Sequence, residues 1–445
     1  MLLVNLTMMM PKRRLFFFVL LALPLFSMSQ ENSPYSRYGI GDIVPSGNIV
    51  TRGMGGTSAA FSDYTAINFN NPASYSNLLW TTLDIGAQFD SRTIKSGSPI
   101  QSFNSKNAII SYLQFGFPLL NGNKKARRDS MSWGLNFGLR PVSKINYSIE
   151  KDSRLTNIDS LNTLYEGTGG ENEAYVGTGV RIKNLSFGVN AGYTFGNKNY
   201  NTRLIFINDT VNYLKSNSAT NTNFGGLFFQ AGIQYYIPLK KGSALSLGAY
   251  GKFQQTANAT QDILRETFVY NTVTGVADRL DSVYNQSGIK GKIILPSTLG
   301  FGFNYQNSQI LVGGDFEMTN WSKYSFYGQG DAIKNSWMAK AGFQYMPKPG
   351  TSRKYWNFVK YRAGVYFGPD YIAVDKNLPQ YGLTLGGGFP LRIRRTFYDN
   401  QYSIMNVVLD YGSRGNSSNS LRENIFRVGI GFSLSDIWFV RSKYQ

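Results

Sequence analysis

The segment Arg52–Ser58 reads RGMGGTS and places three glycines and two hydroxyl side chains within seven residues. Glycine-rich loops of this kind can hold phosphate groups through their backbone N–H groups. A nucleotide-binding P-loop, however, needs Gly-x4-Gly-Lys-Ser/Thr after a strand, and this segment lacks both the lysine and the strand. The dinucleotide pattern Gly-x-Gly-x-x-Gly also fails, because Ser58 stands where the third glycine is required. The sequence therefore favours a tightly turning, closely packed segment.

Other chemistry is limited by composition, since the 445 residues include no His and no Cys. This absence excludes Ser-His-Asp triads, His-based zinc sites and disulfide scaffolds. An Asp/Glu or Ser/Lys hydrolase stays open on spacing alone, but no motif indicates one. We therefore predict a protein that is not an enzyme and that carries no metal and no cofactor.

The N-terminus has the pattern of an export signal. Lys12, Arg13 and Arg14 precede the apolar run Leu15–Phe26, and Ser27-Met28-Ser29 provides small residues for cleavage before Gln30. The alternative is a membrane anchor, but a run of about 12 apolar residues is too short to span a bilayer. We predict that residues 1–29 are a signal peptide.

The charge balance points to an anionic partner. The formal net charge is +19, and removing the three basic residues of the signal peptide leaves about +16. On an exported protein this excess suits lipopolysaccharide or another acidic surface. Nucleic acid is a poorer match, because the basic residues are scattered and do not form a stripe or patch.

From about residue 80 onward, apolar and small polar residues alternate with period two. This alternation is typical of strands with one apolar and one polar face. The polar face is mostly Gly, Ser, Asn and Gln, which suits a crowded or watery lumen, whereas the large apolar residues suit lipid. The alternative, a soluble β-rich domain, would carry more Lys, Glu and Thr on its outer face. The clearest runs are Leu83–Phe89, Met131–Leu139, Leu185–Phe195, Leu227–Tyr235, Leu299–Tyr305 and Phe426–Leu434.

These runs predict an all-β transmembrane antiparallel barrel of about 14 strands over residues 80–445, in the outer membrane. The tight connection Gln306–Ser308 suits a periplasmic turn. Longer polar stretches suit extracellular loops, and the longest of them could hold strand ends that rise above the membrane. These stretches are Asn121–Ser130, Asp152–Asn172, Asn197–Asn223, Gln254–Ser287 and Tyr327–Asn335. The final strand could lie on either side of Asp436.

Residues 30–79 precede the first strand and do not alternate. They could form a disordered tail, a periplasmic arm or a plug inside the lumen. Their apolar side chains, such as Tyr35, Ile40, Met54 and Phe61, give the segment enough content to pack. We therefore favour a plug.

Several stretches resemble the FadL-like long-chain fatty-acid outer-membrane transporter family. The resemblance begins in the N-terminal segment and recurs in order along most of the chain. It rests on Ala59-Ala60, Asp63, Ala66, Asn68-x-x-Asn71-Pro72-Ala73, Gly138–Val142, Leu295–Gly302, Asp315-Phe316, Thr319–Tyr324 and Arg427–Phe432.

The resemblance implies an N-terminal hatch that gates the passive uptake of hydrophobic or amphipathic molecules, such as long-chain fatty acids. In that family such molecules leave sideways at a kinked third strand, here represented by Arg140 and Pro141. Proline cannot donate a ladder hydrogen bond, so it favours an opening, although it could equally end the strand. The implied gate residues are Arg52, Gly53, Met54, Gly55, Gly56, Asp63, Asn68, Asn71 and Pro72.

Three points stay open at this level. Arg52 could meet a ligand carboxylate, or it could hold the hatch to a lumenal acid such as Asp84 or Asp315. The basic run Lys124–Arg128 could contact acidic headgroups or remain a solvated loop. Finally, FadL-like barrels also serve as accessory subunits, so the chain could instead be a scaffold in an outer-membrane secretion or assembly complex.

Overall fold

The computed structural model describes residues 33–97, 100–120, 131–154, 156, 160–207, 214–270, 277–347, 354–374, 378–391 and 402–436. The predicted signal peptide and the basic run Lys124–Arg128 lie outside these residues. Within the described ranges, no helix is both long and apolar enough to cross a bilayer.

Fourteen long strands form one continuous antiparallel sheet. Two of these strands, 244–270 and 277–306, are each interrupted once, at residues 253–254 and 296–297. Both parts of the first lie between the same two strands. The two parts of the second share the neighbour 244–270, but on the other side residues 277–295 pair with Ser325–Phe326 and residues 298–306 pair with Ile310–Thr319. The strands are β1 (Thr81–Gly97), β2 (Ile100–Leu120), β3 (Ser132–Arg154), β4 (Ser160–Ile182), β5 (Leu185–Ile207), β6 (Lys215–Pro238), β7 (Ala244–Lys252 and Gln255–Tyr270), β8 (Ala277–Leu295 and Thr298–Gln306), β9 (Ile310–Thr319), β10 (Ser336–Tyr345), β11 (Lys360–Pro369), β12 (Pro379–Pro390), β13 (Tyr402–Arg414) and β14 (Leu421–Asp436).

The sheet closes on itself because β14 pairs with β1 along its whole length, from Leu421 opposite Ser96 to Asp436 opposite Thr81. Closure leaves the sheet without a terminal strand, although β2 and β3 pair over only part of their length. The predicted count of about 14 strands is confirmed. Within the described residues the last strand ends at Asp436, and positions 437–445 lie outside them.

The two faces of the barrel are those that the alternation predicts. Outward-facing Leu227 and Phe229 are 65% and 54% exposed, whereas Gln230 on the same strand faces inward and is 5% exposed. The outward-facing apolar residues suit contact with the hydrocarbon core of a bilayer. The inward-facing polar residues can form hydrogen bonds in the lumen. The predicted all-β transmembrane barrel is therefore confirmed, and its apolar outer belt is that of an outer-membrane protein.

The wall has an uneven height, and this corrects three predicted loops. β6 has 24 residues and β9 has 10, so they span about 80 Å and about 33 Å at roughly 3.3 Å per residue. The long strands β3 to β8 extend well past the apolar band. Asp152–Asn172, Asn197–Asn223 and Gln254–Ser287 were predicted as loops, and they contain mostly paired strand. Tyr327–Asn335 does connect β9 to β10, as predicted.

Strand parity also corrects the placement of one loop. β2 ends at Leu120 and β3 begins at Ser132, at the same end of the barrel as the turn that follows Gln306. The predictions put Asn121–Ser130 and Gln306–Ser308 on opposite sides of the membrane, so one of the two placements is wrong. The stretch Asn121–Ser130 itself lies outside the described residues.

Residues 33–79, here called the N-terminal segment, contact inward-facing side chains from strands all around the barrel. Their apolar residues form shared cores with the wall, so the core of the molecule lies along the barrel axis. One cluster joins Ile49 and Phe69 to Tyr112 of β2, Tyr175 of β4 and Val408 of β13. Another joins Tyr35 and Ile40 to Leu295, Trp321 and Tyr371.

Candidate functional site

The RGMGGTS stretch begins at the end of a single helical turn, α1 (Ile49–Arg52). Asn48 caps this turn, because its side-chain oxygen accepts a hydrogen bond of 2.8 Å from the Thr51 N–H. Gly55 and Gly56 then adopt φ of +70° and +87°, a region that favours glycine. The tight turn that the glycines predict is therefore present.

Glycines in the wall let this turn approach the barrel backbone. A Cβ on Gly364 of β11 would lie 2.1 Å from the Gly55 nitrogen, and one on Gly342 of β10 would lie 2.4 Å from the Met54 carbonyl oxygen. On the opposite side, a Cβ on Gly188 of β5 would lie 2.2 Å from the Pro72 carbonyl carbon. Because real Cβ atoms do not come this close, the N-terminal segment fits only where the wall lacks side chains.

Two lumenal acids bind the backbone of the N-terminal segment. Asp315 of β9 accepts hydrogen bonds from the Ser58 and Ala59 N–H groups, the latter at 2.7 Å. Asp84 of β1 accepts from the Ile67 N–H at 3.2 Å. Neither carboxylate pairs with Arg52, so the alternative in which Arg52 holds the segment to Asp84 or Asp315 does not apply to these two acids.

The three hatch positions Asn68, Asn71 and Pro72 organise the far end of the segment. The Asn68 amide donates to the carbonyl oxygens of Ser58 and Phe61 at 2.7 and 2.8 Å. Asn71 caps the 3-10 helix Pro72–Asn77 and donates to the Ala59 carbonyl at 2.6 Å. These bonds tie the segment into one compact unit.

Met54 and Asp63 complete the set of predicted hatch residues. Met54 is fully buried among Val50, Phe61 and Leu311. Asp63 forms an ion pair of 2.8 Å with Lys360 of β11. Gly53 lies against the wall as well, since a Cβ there would be 3.3 Å from the Gly386 Cα of β12. All nine predicted hatch residues therefore belong to one closely packed body.

The wall itself is open between β2 and β3. The two strands pair only from Leu113 opposite Leu139 to Leu120 opposite Trp133, and beyond this register they have no pairing among the described residues. Pro141 lies two residues past the last pair, where the β3–β4 register also shifts. β3 continues to Arg154, so the alternative that Pro141 ends the strand is wrong.

The N-terminal segment covers part of this gap. Its short strand Asp42–Ile43 pairs with Lys144 and Ser143 on the free edge of β3. The Lys144 ammonium reaches across the gap and donates to Asn107 of β2 at 2.6 Å. A cavity of about 260 Å³ lies here, lined by Val44, Ile109 and Pro141, among others.

A buried ionic cluster fixes the short strand, and no sequence motif indicated it. Asp42 pairs with Arg92 of β1 and, at 2.7 Å, with Arg414 of β13. Arg92 and Arg414 also bind Glu423 of β14, at 2.8 and 3.5 Å. Asp370 accepts from Arg414 at 2.7 Å. The basic residues come from strands far apart in the sequence, so only the closed barrel brings them together.

We expect the N-terminal segment to stay docked at neutral pH and to loosen only in strong acid. Burial alone would raise the pKa of Asp42, but the charges of Arg92 and Arg414 outweigh it and lower this pKa to about 2. For Asp63, burial is outweighed in the same way by Lys360 and by hydrogen bonds from Thr65, which again gives a pKa of about 2. The ionised carboxylates stabilise the docked segment fully at pH values above 3.8, the pKa of a free Asp side chain. This stabilisation is lost as the pH falls towards 2, because the carboxylates are then protonated.

A fluorophore on a single Ile43→Cys site, in a chain that has no other cysteine, reports this transition. The charged groups near Asp42 that influence its protonation are Arg92, Arg414, Arg427, Asp370 and Glu423. The signal should be flat from pH 8 to about pH 4 and change between about pH 4 and pH 2. A transition centred near pH 6 would contradict the assignment.

A cavity of about 310 Å³ lies between the N-terminal segment and the wall. Arg52, Gly55 and Gly56 line it from the segment, and Arg140 and Pro141 line it from β3. The cavity therefore lies between three of the nine predicted gate residues and the two predicted lateral-opening residues.

Arg140 is held in place on the wall of this cavity. Its Nε and Nη2 donate to one oxygen of Glu173 at 3.0 and 2.9 Å, and its guanidinium lies 4.9 Å from the centre of the Phe69 ring. Nη1 donates to Asn70 at 3.3 Å. Arg140 therefore links the N-terminal segment to the strand beside the gap.

Solved structures with the same fold are channels and transporters. The toluene transporter TodX of Pseudomonas putida superposes with a TM-score of 0.54 at 14% identity, covering 88% of this chain and 99% of that one. The toluene transporter TbuX of Ralstonia pickettii gives 0.51 at 14% identity, with 87% and 98% covered. A FadL homologue of Pseudomonas aeruginosa gives 0.50 at 12% identity, with 89% and 98% covered.

At these identities the likeness is one of fold, and it confirms the FadL-like resemblance at that level. A comparison with curated proteins finds no match. The family assignment comes from the sequence instead, because the family model described as BamG matches residues 9–445. The chain therefore belongs to the BamG family.

Proposed function

We propose that this protein is an outer-membrane channel for the passive uptake of hydrophobic or amphipathic molecules, with the N-terminal segment as a hatch. A molecule would pass from the outer rim into the 310 Å³ cavity and leave sideways between β2 and β3. The proposed gate consists of the RGMGGTS turn with Asp63, Asn68, Asn71 and Pro72. Arg140 and Pro141 flank the proposed exit.

The observation that carries this proposal is the break in pairing between β2 and β3 beside Pro141. A membrane barrel otherwise satisfies all of its backbone groups between strands, so an unpaired stretch in the wall calls for a function. The cavity extends to Pro141 and Val142 at this break. Residues 42–44 cover the β3 edge through a few hydrogen bonds, so a small movement would expose it.

No chemical step is needed for this activity. Selection would follow from the apolar part of the cavity lining, such as Ile40, Val142 and Leu295, against which a hydrophobic molecule can pack. The lining also carries charged residues, including Arg140, Lys252 and Lys340. The descriptions of TodX and TbuX as toluene transporters concern those proteins, and they support hydrophobic cargo here only through the shared fold.

The test is uptake in a deletion strain complemented with the gene. We expect loss of the protein to reduce uptake of radiolabelled fatty acids or aromatic hydrocarbons, and the wild-type gene to restore it. A hydrophilic sugar that enters through other porins is the control, and its uptake should not change. Unchanged uptake of every hydrophobic probe would overturn the channel proposal.

A second function, that of a scaffold in an outer-membrane protein complex, is favoured by the tall wall of β3 to β8. Its upper part exposes apolar side chains beyond the apolar band: Val283, Leu280 and Tyr284 on β8 are 76%, 51% and 46% exposed. Projecting apolar residues outside the lipid belt suit contact with another protein. Unchanged uptake together with barrel proteins that co-purify after mild crosslinking would favour this function.

A further inference from the structure

The connections at the two ends of the barrel differ in charge. Six of them join strands at the end where β1 starts and β14 stops: 121–131, 183–184, 239–243, 307–309, 346–359 and 391–401. Their sequences contain thirteen basic and two acidic residues. The connections at the other end contain three basic and five acidic residues. The positive charge of the connecting sequences is therefore concentrated at one end.

The lengths of the connections orient this end towards the periplasm. Residues 183–184, 239–243 and 307–309 form turns of two, five and three residues, whereas the tall wall of β3 to β8 rises at the opposite end. Outer-membrane barrels have short turns on the periplasmic side and longer structures outside. The excess of basic residues therefore faces the phospholipids of the periplasmic leaflet, on the side away from lipopolysaccharide.

Three exposed lysines, Lys183, Lys240 and Lys354, carry this charge in the described part of the connections and are here called the turn lysines. The described part of the same connections contains no Asp or Glu. Lys183 has a φ of 53° in a two-residue hairpin turn, where glycine is the usual residue, so a lysine is present there despite a backbone cost. Residues 121–130, 348–353 and 392–401 lie outside the described residues, and the surface is defined without them.

Aromatic side chains indicate that the turn lysines lie at the depth of the lipid head groups. Tyr235, Tyr305, Tyr345 and Tyr361 are exposed, and each lies within four residues of a connection at this end. Tyrosine and tryptophan collect at the interface between membrane and water. Four residues of strand span about 13 Å at roughly 3.3 Å per residue, and less in height because the strands are tilted. Turns this short stay within reach of the head groups.

Two turn lysines have exposed apolar neighbours in the sequence. Leu239 precedes Lys240 and is 44% exposed, and Trp356 follows Lys354 by two residues and is 62% exposed. The Trp356 carbonyl oxygen accepts a hydrogen bond of 3.3 Å from the Tyr361 hydroxyl, which holds the tryptophan beside the interface. Lysine at such a position lays its carbon chain along apolar groups and extends its ammonium group to the head groups. This combination favours lipid over a water-soluble acidic protein.

We propose that the turn lysines bind the phosphate groups of anionic phospholipids in the periplasmic leaflet. The lysine ammonium is a compact charge that pairs with phosphate, and an anionic leaflet attracts basic residues that lie within a Debye length of about 8–10 Å. Phosphatidylglycerol should therefore gather around this end of the barrel, whereas zwitterionic lipid should not. The inference goes beyond the proposed channel, because it holds whether or not a molecule passes through the lumen.

The experiment measures resonance energy transfer from a dye on the full-length protein to lipid that carries an acyl-chain fluorophore. The nanodiscs contain phosphatidylcholine with a minority of phosphatidylglycerol, and the labelled acceptor is one lipid or the other. Because the chain has no cysteine, Asn184→Cys places the dye at the periplasmic end and Ser417→Cys places it at the extracellular end. We expect transfer to phosphatidylglycerol to exceed transfer to phosphatidylcholine by about two- to fivefold at Asn184→Cys. The ratio should be close to one at Ser417→Cys.

Replacing the turn lysines tests their role directly. The variant Lys183→Gln, Lys240→Gln, Lys354→Gln should lower the ratio at Asn184→Cys towards one. Salt at about 1 M should have the same effect on the wild type, because the Debye length then falls to about 3 Å. Heat-modifiable migration on gels verifies that each variant forms a folded barrel.

The matched control removes three exposed lysines from the extracellular half of the barrel. The variant Lys290→Gln, Lys292→Gln, Lys323→Gln should leave the ratio at Asn184→Cys unchanged. A high ratio that survives replacement of the turn lysines, or one that persists at about 1 M salt, would overturn the proposal. Equal ratios at the two dye positions in the wild type would also overturn it and would assign the surface to an acidic periplasmic protein instead.

Discussion

A disulfide between positions 43 and 143 is expected to stop uptake, and reduction is expected to restore it. Ile43 and Ser143 are directly opposite each other where the short strand pairs with β3. Opposed residues of an antiparallel pair have Cβ atoms about 4.5–5.5 Å apart, close enough for a disulfide after a small adjustment. The Ile43→Cys, Ser143→Cys variant would hold the N-terminal segment over the gap. If the segment must move for passage, oxidised cells should lose most hydrophobic uptake.

The controls use the same chemistry elsewhere in the barrel. Because the chain has no cysteine, the engineered pair meets no competing thiol. Leu385 and Leu409 are opposite each other on β12 and β13, so the Leu385→Cys, Leu409→Cys variant joins two wall strands without touching the N-terminal segment. Its uptake should be the same in oxidant and reductant. Normal uptake by the oxidised 43–143 pair would show that the short strand is not the gate.

Adding a methyl group to Gly364 is expected to displace the N-terminal segment and make the barrel leak. The Cβ of Gly364→Ala would lie 2.1 Å from the Gly55 nitrogen and 2.2 Å from the Met54 carbonyl carbon, and both are backbone atoms that cannot rotate away. Overpacking of this kind costs about 1–3 kcal/mol, which lowers the equilibrium constant for docking by about five- to 150-fold. The measurements are proteolysis of the segment and sensitivity to large hydrophobic antibiotics.

Gly251→Ala on β7 is the matched control. The nearest atom to its Cβ is the Thr298 carbonyl oxygen at 3.6 Å, an ordinary contact. This variant should resist protease and antibiotics as the wild type does, although both changes replace glycine by alanine within a strand. A Gly364→Ala variant as resistant as Gly251→Ala would mean that the wall does not set the position of the turn.

The barrel could be predicted from the sequence because lipid enforces a simple pattern. Wherever a strand crosses the apolar band, as at Leu185–Phe195, one face must be apolar and the alternation is plain. The upper parts of the same strands meet water on both faces. Asn197–Asn223 therefore lost its alternation and was predicted as a loop, although β5 and β6 pair through most of it.

The site could be predicted only in part. The glycines of RGMGGTS indicated a tight turn, since positive φ is a local property of a residue type. The partners of that turn are not local: Gly364 and Asp315 lie more than 250 positions away in the sequence. For the same reason the ionic cluster around Asp42 was missed, and the sequence left open whether Arg52 pairs with a lumenal acid such as Asp84 or Asp315, which bind the backbone of the segment instead.

The contacts of the N-terminal segment also constrain the order in which the molecule can assemble. Ser33 donates to Glu423 of β14, 390 positions later, and Asp42 binds Arg414 of β13, 372 positions later. These early residues of the chain therefore obtain their partners from β13 and β14, which are made much later. Contacts of such long range form late in folding. We therefore expect the N-terminal segment to dock only after β13 and β14 have been made.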